Sequence, residues 1–285
     1  MDDKTVGSGS DFLGRYPVPH RVYAQLRRPP NVLVTGGTGM LGTALVPRLI
    51  QAGIGVREIS RTPPRRVSDA WSAVDLASGQ GLQQAVDGIQ TVIHLASNES
   101  RIGVRSFEEI AMERLINACE RAGVRHLIYV SIVGVDQIPL SYYQAKKNAE
   151  QLLQRSEQPY TILRSTQFHG FIDAMLGQLF RFPVGLVPTR LVAQPISPAV
   201  VADQLLYLVQ MGPLLSTFNM GGPEVLRVDK LVKEWQLYQP RRKFYLPIPI
   251  LGSVMRAFAN GWNTCPAYAI ESQSWADYLQ KQYSK

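Results

Sequence analysis

Val32-Leu33-Val34 runs directly into Thr35-Gly36-Gly37-Thr38-Gly39-Met40-Leu41-Gly42. No other stretch restricts the fold of this chain as strongly. An apolar triplet, a cluster of glycines and a following apolar-periodic segment read as a buried strand, a tight turn and a helix. Glycine is needed at such a turn for three reasons: the bend is sharp, the backbone must approach a bound anion, and the helix must pack closely on the strand. Gly37-x-Gly39-x-x-Gly42 has the spacing that holds a dinucleotide pyrophosphate, with exposed amides and the positive end of the helix facing the charge. Gly36, Thr38, Gly39, Met40, Leu41 and Gly42 are therefore expected to bind a cofactor.

The strand–helix rhythm continues after the loop. The spacing predicts helices over Thr43–Ala52, Leu82–Val86, Phe107–Ala122 and Tyr142–Arg155. Strands are predicted over Gly53–Ser60, Ser72–Leu76, Thr91–Leu95, His126–Ser131 and Tyr160–Leu163. Short apolar strands alternating with helices imply βαβ units, hence an α/β, doubly wound parallel sheet of the Rossmann type. After Leu163, Pro183, Pro188, Pro195 and Pro198 interrupt the pattern, and helical periodicity returns near 200–210 and 228–238. Residues from about 165 to 285 are expected to form a small substrate lid on a single NAD(P)-binding domain spanning 31–285. Residues 1–30, ending in Pro29-Pro30, read as a flexible N-terminal arm.

Composition narrows the class. The chain has 285 residues, 45% of them hydrophobic and 18% charged, enough for a full buried core. No apolar run approaches the ~20 residues of a membrane helix, so no membrane contact is expected. Met1-Asp2-Asp3-Lys4 opens no secretory signal. Cys119 and Cys265 form neither a disulfide framework nor a metal-ligand spacing, which suits a cytoplasmic protein without metal. The net charge of +8 is carried by scattered clusters such as Arg27-Arg28, Arg65-Arg66 and Arg241-Arg242-Lys243. None interleaves with aromatics in a stripe, which argues against nucleic acid, and a basic surface suits an anionic cofactor.

Cofactor choice is read where the second strand ends. Ser60 and Arg61 can hold a 2′-phosphate by charge-assisted hydrogen bonds, so NADP(H) is the expected cofactor. Glu58 shares a strand face with Ser60 and leaves NAD open.

Four segments occur in a telling order: TGGTGMLG at Thr35–Gly42, HLAS at His94–Ser97, VS at Val130-Ser131 and YYQAK at Tyr142–Lys146. Together they resemble the short-chain dehydrogenase/reductase superfamily. ILRSTQFHGFI at Ile162–Ile172 and TCP at Thr264–Pro266 narrow the resemblance to its atypical, NmrA-like branch, which includes triphenylmethane reductase-like and isoflavone reductase-like proteins. It covers about residues 31–280 and leaves the arm unexplained. The branch contains both reductases and non-catalytic cofactor sensors.

The resemblance implies that Asp75, with Leu76 beside it, lies near the adenine and that Ala96 and Ser97 line the cofactor. It also implies a Tyr/Lys pair one helical turn apart, with a serine at the end of the preceding strand. There the lysine favours the phenolate of a tyrosine whose free pKa is ~10 and positions the nicotinamide ribose, the tyrosine protonates a substrate carbonyl, and the serine orients it. Tyr142/Lys146 and Tyr143/Lys147 both have the spacing. Continuing from Tyr143 gives Lys147, Glu150 and Gln154, a face expected in solvent, whereas Tyr142 continues to Lys146, Ala149 and Leu153, a buried face. Lys146, Tyr142 and Ser131 are thus the expected catalytic group. The Ser131–Tyr142 interval is shorter than the family's usual one, so Lys146 acting without the tyrosine is the alternative. His94 reads as a packed histidine. Gln167, Phe168 and His169 follow a strand end, where substrate is expected, with His169 a proton source near neutral pH; helix-capping loop residues are the plainer reading.

The function these expectations compose is an NADPH-dependent reductase of a small carbonyl or conjugated, partly aromatic molecule. The second reading is a non-catalytic NADP-binding sensor or assembly factor that acts through a protein partner, and homodimerisation is left open.

Overall fold

A computed structural model of the chain describes residues 32–63, 70–98, 100–102, 104–182 and 184–284. The arm at 1–30, Arg65 and Arg66 lie outside the described residues.

Strands β1 (Val32–Thr35), β2 (Val56–Ser60), β3 (Ala70–Ala73), β4 (Thr91–His94), β5 (His126–Ile132), β6 (Tyr160–Ser165) and β7 (Thr217–Met220) form a 7-stranded sheet. Its order is β3-β2-β1-β4-β5-β6-β7 and every pairing is parallel. The central strands are buried on both faces, which is why they read as unbroken apolar runs rather than alternating ones. Helices α2 (Leu82–Val86), α3 (Phe107–Ala122) and α4 (Ser141–Arg155) cover one face, with Leu33, Met112, Leu115, Leu127 and Leu153 in the core between. Helix α1 (Met40–Gln51) and helix α6 (Pro198–Met211) cover the other, through Leu45, Leu49, Val201 and Leu205.

Two expectations need correction. The third strand ends at Ala73 instead of reaching Leu76. The Asp75 carboxylate accepts the backbone N–H of Ala77 (2.9 Å), and that turn takes the chain out of the sheet. The region after Leu163 is also more than a lid. Strand β7 pairs with β6 from Thr217↔Ile162 to Met220↔Ser165, and α6 is tied to α1 by Arg48–Asp203 at 2.6 Å. Residues 198–220 therefore belong to the doubly wound body. The remaining C-terminal elements are α5 (His169–Leu179), α7 (Val228–Gln236), α8 (Gly252–Ala259) and α9 (Trp275–Tyr283). Helices α5, α7 and α9 share their own core around Phe180, Trp235 and Trp275.

The sheet order reverses between β1 and β4, which connect to opposite sides. Doubly wound sheets open a ligand crevice at such a point, beyond the carboxyl ends of the strands.

Candidate active site at the sheet switch point

The glycine loop fills the β1 side of the crevice. Gly36 has φ +69° and its carbonyl accepts the backbone N–H of Gly39 at 3.0 Å, closing the turn. A Cβ on Gly36 would stand 2.7 Å from the backbone nitrogen of Ala96, and one on Gly42 would run into the backbone of Gly36 and Gly37. The loop thus lies flush on the end of β4 and on its own helix, leaving Thr38, Gly39 and Met40 exposed at the start of α1. Leu41 faces the core, so only its backbone is available to a ligand. Such a cradle, closed to any side chain and open at a helix N-terminus, fits a dinucleotide pyrophosphate. Gly36→Ala is expected to lower the affinity for a reduced nicotinamide dinucleotide at least ~100-fold, because both the positive φ and the packing on Ala96 are lost; fluorescence titration of the variant checks this.

Thr35 fastens the loop to β4. Its Oγ1 accepts the backbone N–H groups of Leu95 (3.1 Å) and Ala96 (3.0 Å). Its own proton then goes to Nδ1 of His94, 2.7 Å away. Nδ1 is therefore an acceptor and the ring's proton sits on Nε2, which is buried without a partner. Burial pushes the His94 pKa down to about 4, so this is the packed histidine the sequence suggested.

Beyond Ala96 the crevice is lined by a connected polar cluster. Ser97 Oγ lies 2.8 Å from the hydroxyl of Tyr142 and donates to Glu108 Oε1 at 2.6 Å. Tyr129 donates to Glu108 Oε2 at 3.0 Å. Lys146 Nζ lies 3.3 Å from the same oxygen, donates to the carbonyl of Val130 (3.2 Å) and sits 4.8 Å from the centroid of the Tyr129 ring. Lys146 is 3% exposed and Glu108 0%, while Ser97 is open to solvent. Burial alone would raise the Glu108 pKa, but the Lys146 ammonium and the hydrogen bonds from Ser97 and Tyr129 outweigh it and hold the carboxyl below its ordinary range. An ionised Glu108 fixes the direction of the chain of hydroxyls. Ser97 spends its one proton on Glu108, so Tyr142 donates to Ser97 and turns its lone pairs to the crevice.

Glu108 and Tyr129 were not among the expected site residues. A signal existed: Glu108 stands on the buried stripe of α3 with Ala111, Met112 and Leu115, where a carboxylate needs a charged partner. The capping box of Ser106 and Glu109 sets the phase of that helix.

The structure separates the two tyrosine registers, but not as periodicity suggested. Tyr143 and Glu150 are buried rather than solvent-facing. Tyr143 packs edge-on against Phe258, with ring centroids 5.9 Å apart. Glu150 accepts a bidentate pair from Arg164. Only Tyr142 and Lys146 belong to the crevice cluster. Ser131 is buried on the Tyr129 side of β5 with an unpartnered hydroxyl.

On the adenosine side, Ser60 Oγ donates to the carbonyl of Thr62 (2.5 Å) and accepts from Trp71 Nε1 (2.9 Å). Its hydroxyl therefore serves the strand end, and Arg61 is left exposed beside it. Glu58 is 2% exposed and lies under Gly37 rather than at the strand end. Asp75 remains half-buried at the β3 turn, and the Leu76 carbonyl accepts from Arg114 (3.0 Å).

The substrate-side expectations fare differently. Gln167 is tied to Asn263 by bonds of 3.2 and 3.3 Å, joining the β6 loop to the C-terminal part. Phe168 caps α5 and bridges to Ile196. His169 is not a proton source near neutral pH. It is fully buried, stacked on Tyr278 (5.1 Å) and Trp275 (6.2 Å), and burial pushes its pKa down to about 4.

A family model described as NAD(P)H-binding matches residues 36–209, from the glycine loop through α6. The chain belongs to the NAD(P)H-binding family. The match agrees with the nucleotide-binding role that the resemblance implied for this part of the chain. It is 27% identical over 156 residues to Photosystem II assembly factor Ycf39 of Synechocystis, covering 52% of this chain and 47% of that protein. It is 26% identical over 141 residues to Quinone oxidoreductase 2 of Escherichia coli, covering 47% and 48%. The chain spans about half the length, or less, of the curated relatives it matches. MoeE5, solved with UDP-glucuronic acid and NAD, superposes with a TM-score of 0.70 at 19% identity, covering 89% of this chain and 98% of that one, a likeness of fold. Among the described residues, no group of His, Cys, Asp or Glu side chains could hold a metal ion. No helix among them is long and apolar enough to cross a membrane.

Proposed function

We propose that this NAD(P)H-binding protein is an NADP(H)-dependent oxidoreductase that reduces a small carbonyl or conjugated, quinone-like molecule in the cytoplasm. The observation that carries the reading is the Tyr142–Ser97–Glu108–Lys146 cluster beside the glycine cradle. The loop residues would hold the pyrophosphate, and Arg61 the 2′-phosphate. Bound there, the reduced nicotinamide supplies the hydride.

This chain's own groups supply the rest. Lys146 uses two N–H bonds on Val130 and Glu108, which leaves one for the nicotinamide ribose. Tyr142 delivers a proton to the substrate oxygen by turning its hydroxyl away from Ser97, and the Ser97 proton can swing to the phenolate left behind. Ser131 Oγ, buried on the same strand face as Tyr129, has no hydrogen-bond partner and is the third hydroxyl this reading assigns to the site. The thiols of Cys119 and Cys265 take no part: both are buried, and burial pushes both pKa values up to about 12.

A second reading is a nucleotide-binding assembly factor. Two observations favour it: the likeness to Ycf39, and the countercharge that Glu108 places on Lys146. Turnover separates the two. Oxidation of NADPH with a panel of quinones and aromatic carbonyls, lost in Tyr142→Phe while NADPH still binds, supports the enzyme. No oxidation across the panel supports the assembly factor.

Arg61 decides the cofactor. Arg61→Glu is expected to weaken NADPH about 30-fold and to leave NADH binding nearly unchanged, because only NADPH carries the 2′-phosphate. Parallel titrations with the two nucleotides check it.

A further inference from the structure

Strand Val184–Val187 pairs in parallel with strand Phe244–Pro247, with Phe244 opposite Val184 and Leu246 opposite Leu186. Alternation turns Gly185, Val187 and Tyr245 inward onto Phe180, itself stacked on Trp235 at 5.5 Å. A small sheet with a core on one side ordinarily puts polar residues on the other. Here the outward row is Val184, Leu186, Phe244 and Leu246, exposed by 47%, 55%, 81% and 58%. Phe182 and Leu251, in the flanking segments, are exposed by 69% and 66%. So large a contiguous apolar surface marks a contact face.

The segments that build it carry charge of one sign. Arg181, Arg190, Arg241, Arg242 and Arg256 are exposed, and none has an ion-pair partner among the described residues. Residues 180–192 and 239–263 contain no Asp or Glu at all.

We propose that this face docks the protein on an anionic lipid surface. The aliphatic and phenylalanine side chains would enter the boundary between headgroups and acyl chains, with the arginine rim on the lipid phosphates. The charge pattern selects this occupant. A second copy seated on the same patch by two-fold symmetry would set arginines against arginines. Nucleic acid would find only Phe182 and Phe244 to stack on, set among four aliphatic side chains that offer its bases and phosphates nothing. The expectation of no membrane contact drawn from the sequence excluded a spanning helix, and surface binding requires none.

Sedimentation of the full chain with vesicles tests the proposal, using phosphatidylcholine alone and an equal mixture with phosphatidylglycerol. The mixed vesicles are expected to carry the protein down and the neutral ones to leave it in solution, with binding weakened by salt. Phe244→Ser/Leu246→Ser and Arg241→Gln/Arg242→Gln should each lower the partition coefficient about tenfold, with thermal unfolding unchanged because all four side chains point outward. Failure to bind the mixed vesicles overturns the proposal, as does equal binding by both double variants. A dimer that Phe244→Ser/Leu246→Ser dissolves, without vesicle binding, assigns the face to a second copy instead.

Discussion

Glu108→Leu is expected to cost about 3–5 kcal/mol of folding stability, the penalty for leaving a buried charge without its partner. Lys146 is 3% exposed, and its ammonium would keep only the Val130 carbonyl as an acceptor. Tyr129 and Ser97 would lose their acceptor in the same stroke. Pairing the change with Lys146→Met removes the stranded charge, and the double variant should recover more than half of the loss. Such recovery separates a charge effect from a packing effect, because a cavity left at α3 would make the two changes additive. Glu108→Gln should fall between, retaining an acceptor for the hydroxyls but no countercharge. Urea unfolding of the four proteins measures this. A Glu108→Leu variant as stable as the parent would mean that the pair is solvated.

Acidification should produce the second large effect. Burial pushes His94, His126 and His169 each down to about 4 from 6.5. The geometry agrees: His126 Nδ1 and both ring nitrogens of His169 are buried without a hydrogen-bond partner, and an added proton on His94 Nδ1 would face Thr35 Oγ1, whose lone pairs already accept from Leu95 and Ala96. Above the unfolded value all three are neutral in both states, and their full contribution to stability is present. As pH falls from 6.5 towards 4, the unfolded chain takes up protons that the folded one refuses, and stability is lost. At about pH 5 the loss is roughly 2 kcal/mol for each histidine, an upper figure if the fold relaxes. His169→Phe keeps the stack on Tyr278 and Trp275 and should remove one histidine's share of the pH dependence. A stability profile flat between about pH 7 and pH 5 would show that the three rings find proton acceptors after all.

These two effects arise from residues that the sequence revealed unequally, and the difference is physical. The glycine loop was legible because each glycine answers a local demand, positive φ at Gly36 and close backbone contact at Gly42. Strands β1, β4 and β5 were legible because burial on both faces leaves consecutive rather than alternating apolar residues, Val32–Val34, Val92-Ile93 and Leu127–Val130. Strand β7 was hidden: Thr217-Phe218-Asn219-Met220 is a half-buried edge strand with no strong pattern of its own. Its place is set by β6, far away in sequence.

The site shows the same division. Tyr142 and Lys146 were marked by one-turn spacing on the buried side of α4. Glu108 could be recognised only as a carboxylate on the wrong face of α3, since its partners Ser97, Tyr129 and Lys146 come from three other segments. His169 misled because a histidine after a strand end resembles a catalytic group, and nothing local announces that Trp275 and Tyr278 will enclose it. Tyr143 and Glu150 misled for a related reason. The C-terminal part covers a helix face that would otherwise meet water, through Phe258 on one residue, while Arg164 neutralises the other.

In the function proposed above, the crevice at the sheet switch point binds NADPH through the glycine loop and reads its 2′-phosphate with Arg61. Titration of the full chain with NADPH and with NADH, followed by nicotinamide fluorescence, tests it most directly. Saturable NADPH binding is expected, at least about tenfold tighter than NADH, with the preference abolished by Arg61→Glu. Equal binding of the two nucleotides, or tighter binding of NADH, would contradict it.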